Sequence, residues 1–113
     1  MQLENILKQK VKKINGDKER LKAIKNWIEG AYGGPKIVSF KAPDKAYHLV
    51  FTKEKGVGLR EGDYPSFNLS YQGSEENILK VLNGEASASN VWQKKELHVW
   101  GGLSEAFAFE KLL

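Results

Sequence analysis

Two histidines, His48 and His98, carry the imidazoles of this sequence and so its ordinary chances of acid–base or metal chemistry near neutral pH. Each lies in an alternating stretch, Tyr47-His48-Leu49 and Leu97-His98-Val99, on the side opposite the apolar residues. Neither has a carboxylate at a ligand spacing or a nucleophile paired with it, so surface or interface roles are expected and catalytic residues are not. The chain has no cysteine, which excludes disulfides, thiolate zinc sites and a thiol nucleophile. Gly56-Val57-Gly58 is a fragment of a dinucleotide fingerprint without its strand-to-helix setting or downstream acid, and is expected to be strand glycine. Phosphate loops, paired catalytic carboxylates and basic-aromatic nucleic-acid motifs are likewise missing from the sequence. No metal, cofactor or nucleic-acid partner is therefore expected, and binding is the chemistry left open.

The segment best suited to binding is the last one. At helical spacing Leu103 and Phe107 fall on one face, whereas Phe109, Leu112 and Leu113 spread over the other, with Glu105, Glu110 and Lys111 as the charged breaks. A helix apolar nearly all round must be covered nearly all round. One face can lie on a sheet, and the opposite face needs another helix, a partner chain or an apolar ligand. Burial against the first two helices is the plainer alternative. Val91 and Trp92, just ahead of the last strand, are the other large apolar pair placed to border the same space.

Local periodicity supplies the elements that must hold these residues. Leu3, Ile6, Leu7, Val11 and Ile14 form a helical stripe ended by Asn15-Gly16, and Leu21, Ile24, Ile28 and Ala31 form a second after the N-cap candidate Asp17, with Trp27 at its edge. After Gly33-Gly34-Pro35 the period falls from 3.6 to 2. Val38 and Phe40, Tyr47 to Phe51, Val57 and Leu59, Phe67 to Tyr71, and Leu97 and Val99 predict five strands with one apolar face. The links at Ala42-Pro43-Asp44-Lys45, Lys53-Glu54-Lys55 and Gly62-Asp63-Tyr64-Pro65 predict antiparallel hairpins. Ser74 with Glu75 and Glu76 opens a third helix, Asn83-Gly84 stops it, and Ala- and Ser-rich residues 85–90 are expected to be a flexible connector. The fold class is α+β: a mixed, largely antiparallel five-stranded sheet with helices on one face.

With 113 residues, 41% of them hydrophobic and 28% charged, a single domain is expected, with residues 1–32 helical and 35–113 holding the sheet and later helices. No apolar run nears the roughly 20 residues of a membrane span, and the N-terminus lacks an apolar leader core. The net charge of +4 is uneven, 13 basic against 6 acidic side chains in residues 1–56 and 5 against 8 beyond. Lys8, Lys10, Lys12 and Lys13 crowd the first helix, of which Lys8, Lys12 and Lys13 project away from the stripe and could touch an anionic membrane transiently. Val50, Ile37 and Trp100 beside the histidines give the outer sheet face enough apolar area to predict partial cover, as in a homodimer.

The run Gly73-Ser74-Glu75-Glu76-Asn77-Ile78-Leu79-Lys80-Val81-Leu82-Asn83-Gly84-Glu85, followed by Glu96-Leu97-His98-Val99-Trp100-Gly101-Gly102 and a last apolar helix, resembles the end of the sterol carrier protein domain. The resemblance reaches back to about Pro35 and carries no catalytic signature. Lys95 stands where that family commonly has a small residue, and the ending Glu110-Lys111-Leu112-Leu113 departs from the peroxisomal address some members carry, which implies the cytoplasm. The resemblance implies a non-enzymatic carrier of a long-chain apolar ligand, such as a fatty acid, acyl-CoA, phospholipid or sterol-like lipid, in an internal cavity bordered by Val91, Trp92, Leu103, Phe107, Phe109 and Leu112. A protein-interaction or dimerisation module within a larger enzyme is the alternative it leaves open.

Overall fold

The computed structural model describes residues 2–29 and 34–113, so Ala31 and Gly33, named above, lie outside the described residues. Helix α1 (Gln2–Asn15) buries Leu3, Leu7 and Ile14, with Ile6 and Val11 half-buried beside them, and α2 (Lys18–Glu29) buries Ile24 and Ile28. Asp17 caps α2 as its sequence suggests: Oδ1 accepts the Glu19 amide at 2.9 Å, and the carboxylate pairs with Arg20. That side-chain bond to Arg20 holds the Asp17 carboxyl below its ordinary range. The cap therefore contributes above the unfolded carboxyl range and is lost as pH falls through the lowered folded value. Amide shifts of Glu19 and Arg20 should report α2 fraying first on acidification. Their indifference to acid would remove Asp17 from this role.

Strands β1 (Lys36–Lys41), β2 (Ala46–Thr52) and β3 (Gly56–Glu61) form an antiparallel meander, with Val38 opposite Leu49 and Leu49 opposite Leu59. Then the chain departs from the predicted third hairpin. β4 (Leu69–Gly73) lies parallel to β1, and β5 (Leu97–Trp100) closes the far side antiparallel to β4, giving the order β3-β2-β1-β4-β5. Travelling from β3 to β4 means three strand spacings, about 14 Å, and residues 62–68 can reach about 23 Å when extended. A tight turn at Gly62 to Pro65 could not make that step. Phe67, expected in the strand, is half-buried in the crossing loop.

The inner face of the sheet carries Val38, Phe40, Leu49, Phe51, Leu69 and Tyr71 into one core with the helices. The outer face is crossed by the loop: Ser39 Oγ donates to Asp63 at 3.1 Å, His48 Nδ1 donates to the Gly62 carbonyl at 2.9 Å, and the Tyr64 ring lies 5.3 Å from the imidazole. Part of the cover predicted for this face is thus supplied by the chain itself.

The β3 edge is guarded by one side chain. Asn15 Nδ2 donates to the Val57 carbonyl at 2.8 Å and its Oδ1 accepts the Val57 amide at 2.9 Å, so the carboxamide stands in for a neighbouring strand. Gly56, at φ +77°, allows this approach, since a Cβ there would collide with the Asn15 carboxamide. Asn15→Ala leaves both backbone groups of the nearly buried Val57 unpaired and is expected to cost about 1–3 kcal/mol in urea unfolding. An unchanged midpoint would contradict it.

Beyond β4, α3 (Glu75–Leu82) is capped by Ser74 Oγ, which accepts the Asn77 amide at 3.2 Å. Glu75 reaches across to accept the Leu3 amide at 3.2 Å, tying the start of α1 to that of α3. The predicted connector folds into a short helix, α4 (Ala88–Gln93), with Ser87 Oγ accepting the Asn90 amide at 3.3 Å. Last comes α5 (Leu103–Glu110).

Candidate functional site: a groove beside the last helix

Helix α5 begins without a side-chain cap, since Gly102 occupies the N-cap. Ahead of it Gly101 sits at φ +121°, where a Cβ would fall 2.5 Å from the Asn68 carbonyl oxygen and 3.2 Å from Leu69 Cα. Only glycine fits, and its close approach to β4 fixes where the helix starts. Gly101→Ala should therefore cost about 1–3 kcal/mol. A denaturation midpoint equal to that of the parent would show that the backbone is not held there.

The inner side of α5 is fastened by a ring and two carboxylates. The Phe109 ring, fully buried, lies 5.9 Å from that of Phe40, 6.1 Å from Phe51 and 6.0 Å from Tyr71. Toward the helix start, Glu105 pairs with Lys36 Nζ at 2.9 Å and accepts the Trp27 indole N–H at 3.5 Å. Lys36 is 4% exposed, and its ammonium also lies 5.5 Å from the centre of the Trp27 ring. Toward the helix end, Glu110 Oε2 accepts the Tyr71 hydroxyl at 2.7 Å and the Ala88 amide at 3.1 Å. Burial, then donation to Glu110, push the Tyr71 phenol far up, so it remains a proton donor.

The outer side of α5 is uncovered. Leu103 is 60% exposed and Phe107 53%, and across from them Trp92 of α4 is 62% exposed. Between α4, β5 and α5 runs a largely apolar groove of about 330 Å³, whose lining includes Trp92, Leu103, Ala88, Val99, Ala106 and Gly102. The wall of α4 is set by Lys95 at φ +59°, a left-handed residue where glycine is usual, and its amide donates to the Trp92 carbonyl at 3.0 Å.

The six residues expected to border a ligand divide into two groups. Trp92 and Leu103 line the groove, and Phe107 continues the exposed face one turn on. Val91, Phe109 and Leu112 are buried in the core. Their place differs from an internal cavity: the groove is open at the surface, and Phe109 fills the layer between α5 and the sheet. Lys36, Tyr71, Glu105 and Glu110, which fasten the helix, were not singled out as a set. Lys36 did leave a signal, because it keeps the parity of Val38 and Phe40 and so points inward.

The basic residues also prove unequal. Lys8 pairs with Glu4 at 3.5 Å and Lys13 donates to the Leu113 carbonyl at 2.8 Å. A second groove, of about 600 Å³ and more polar, includes Lys10, Lys13, Glu85 and Glu110. There burial, then the charges of Lys13 and Arg20, hold the Lys10 ammonium below its ordinary range. The histidines sit on β2 and β5, three strand spacings or about 14 Å apart, so they cannot share an ion. Among the described residues no group of three potential ligands could hold a metal, and no helix is long and apolar enough to cross a membrane.

No protein-family profile matches the chain, and no curated protein matches its sequence. Solved structures do match its fold. UbiJ-SCP2, described as a ubiquinone synthesis protein, superposes with a TM-score of 0.70 at 12% identity over 97% of this chain and 90% of that one. Sterol carrier protein 2 from Yarrowia lipolytica gives 0.59 at 18% identity over 92% of this chain and 84% of that one. A stereoselective inverting sec-alkylsulfatase from Pseudomonas sp. gives 0.60 at 11% identity, with 70% of this chain matched and only 13% of the sulfatase spanned. The α+β fold shared with UbiJ-SCP2 and the Yarrowia lipolytica protein is that of sterol carrier protein 2.

Proposed function

We propose that this chain, having the sterol carrier protein 2 fold, binds and transfers a long-chain apolar molecule without chemical change, using α5 as a movable cover. The observation that carries this is the helix itself, which places Leu103 and Phe107 in solvent beside an apolar groove while Phe109 plugs the layer beneath. The groove of about 330 Å³ lies at the small end of the range for ligand pockets. A long chain needs more room, which comes when α5 shifts and Phe109 leaves the sheet. In this reading Trp92, Leu103 and Phe107 receive the ligand first, and Val91, Phe109 and Leu112 line its path once the cover opens. Burial of about ten methylenes gives roughly 8 kcal/mol, against an association cost on the order of 4–15 kcal/mol, so short chains would not be retained. Native mass spectrometry of the purified protein tests this. Co-purifying or added long-chain lipid should appear as a discrete one-to-one adduct, and a protein that stays empty with every chain offered would refute it.

Membrane approach in this account rests mainly on the exposed Trp92, Leu103 and Phe107. Of Lys8, Lys12 and Lys13, the first is paired with Glu4, whereas Lys13 donates to the neutral Leu113 carbonyl and keeps its charge, so Lys12 and Lys13 each contribute about 1 kcal/mol near an anionic surface. Raised salt should thus slow transfer between anionic vesicles by about thirty-fold at most. A slowing of a hundred-fold or more would show that α1 carries the contact.

A second reading, an interaction or dimerisation module, is favoured by the β5 edge, where Trp100, 55% exposed, and His98 face solvent. Assembly there would be disfavoured by Trp100→Glu. Sedimentation of a monomer at all accessible concentrations would exclude it.

A further inference from the structure

Among the groups that hold α5 down, Lys36 stands apart. It is a cation on the inner, apolar face of β1, 4% exposed, and its partner comes from the helix proposed to move. Glu105 supplies two carboxylate oxygens at 2.9 and 3.0 Å from Nζ, and Oε1 also accepts the Trp27 indole N–H at 3.5 Å. Lys36 and Trp27 therefore form a small carboxylate-binding pair rooted in β1 and α2, and Glu105 is its occupant in the closed state. Among the described residues no other titratable side chain lies within hydrogen-bond distance of Lys36.

Displacing α5 withdraws that occupant and leaves an ammonium in an apolar layer without a counter-ion, a state that burial strongly disfavours. A ligand that brings its own carboxylate to Lys36 as its chain takes the volume of Phe109 removes the penalty. A neutral ligand of the same length does not. We infer that Lys36 is the specificity-determining residue of the site: a long-chain carboxylate replaces Glu105 on Lys36 and Trp27 when the cover opens, so the carrier selects ionised long-chain acids over neutral lipids of equal length. This rests on the carrier reading above, which by itself requires only an apolar chain. The exchange is one carboxylate for another, with no bond made or broken and no net charge buried beyond that already present.

Palmitate and hexadecanol share a chain length and differ in the headgroup, and they serve as the probes. Equilibrium dialysis of the delipidated full chain should show palmitate held about ten- to a hundred-fold more tightly, the range of a charge-assisted hydrogen bond. Lys36→Met should abolish or reverse the preference: palmitate loses its counter-ion and binds more weakly, and hexadecanol, which no longer strands an ammonium, binds more tightly. Should that variant not fold, Glu105→Gln keeps the shape and removes the competing charge. It should bind both probes several-fold more tightly than the parent, because only the closed state loses its ion pair, while keeping the parent's preference for palmitate, and its thermal midpoint should rise more with palmitate than with hexadecanol at equal concentration. Equal binding of both probes by the parent, or by Glu105→Gln, would overturn the assignment of Lys36 and leave the carrier reading standing. Binding of neither probe would overturn the carrier reading and the assignment with it.

Discussion

Phe109→Ala is expected to lose about 3–5 kcal/mol of unfolding free energy, and Phe107→Ala, two residues away, less than about 0.5 kcal/mol. The contrast follows from burial, since the Phe109 ring is enclosed by Phe40, Phe51 and Tyr71 at about 6 Å whereas Phe107 is 53% exposed. Truncating Phe109 leaves a ring-sized void that the rigid sheet cannot collapse to fill. The functional effects should run the opposite way. Phe107→Ala removes part of the exposed patch and should weaken ligand uptake with little effect on the fold, and Phe109→Ala, if kept folded at low temperature, should bind a chain more readily because the plug is gone. Urea unfolding with lipid titration of both variants checks this. Equal destabilisation of the two, with lipid affinity untouched, would contradict a two-sided α5.

Glu105→Ala is the second large effect, expected to cost about 3 kcal/mol, because removing one partner of a buried ion pair strands the other. Lys36 is 4% exposed and Glu105 23%, so the stranded group is the more deeply buried one and partial access of water keeps the loss at the lower end. Replacing both, as Lys36→Met with Glu105→Leu, should recover most of it, since apolar residues of similar size often serve as well as a buried pair. A double-mutant cycle by chemical denaturation measures the coupling. A coupling near zero would mean that the pair does not fasten α5 to β1.

Most of the architecture was legible because it is written in local periodicity. The stripe of Leu3, Leu7 and Ile14 and the alternation of Val38 with Phe40 or Tyr47 with Leu49 name their elements and their buried sides without knowledge of what they meet. The same alternation cannot say which strand is a neighbour. Gly62-Asp63-Tyr64-Pro65 has hairpin composition, yet the chain uses seven residues there to cross β2 and β1, and only the parallel pairing of Val38 with Leu69 reveals it. Helix α4, six residues long, was hidden because so short a helix shows no period, although Ser87 three residues before Asn90 was the trace of its cap.

The two-sided character of α5 could be read from the spacing of Leu103, Phe107, Phe109 and Leu112. Which side the sheet takes could not, because Lys36 with Glu105 and Tyr71 with Glu110 are joined across 69 and 39 residues. These polar contacts turn the helix so that Phe109 faces inward. They also decide that the apolar space in this state is an open groove, where the resemblance to sterol carrier proteins had implied a closed cavity.

Paramagnetic relaxation by a spin-labelled stearate, read on the amide and indole signals of the isotope-labelled protein, tests most directly whether a long chain enters between α4 and α5. Labels along the chain should broaden the Trp92 indole and the amides of Leu103, Ala106 and Phe107 at equimolar ligand, and leave Asn15 and Val57 at the guarded β3 edge sharp. Broadening confined to the outer sheet face around His98 and Trp100, or none at any position, would contradict it.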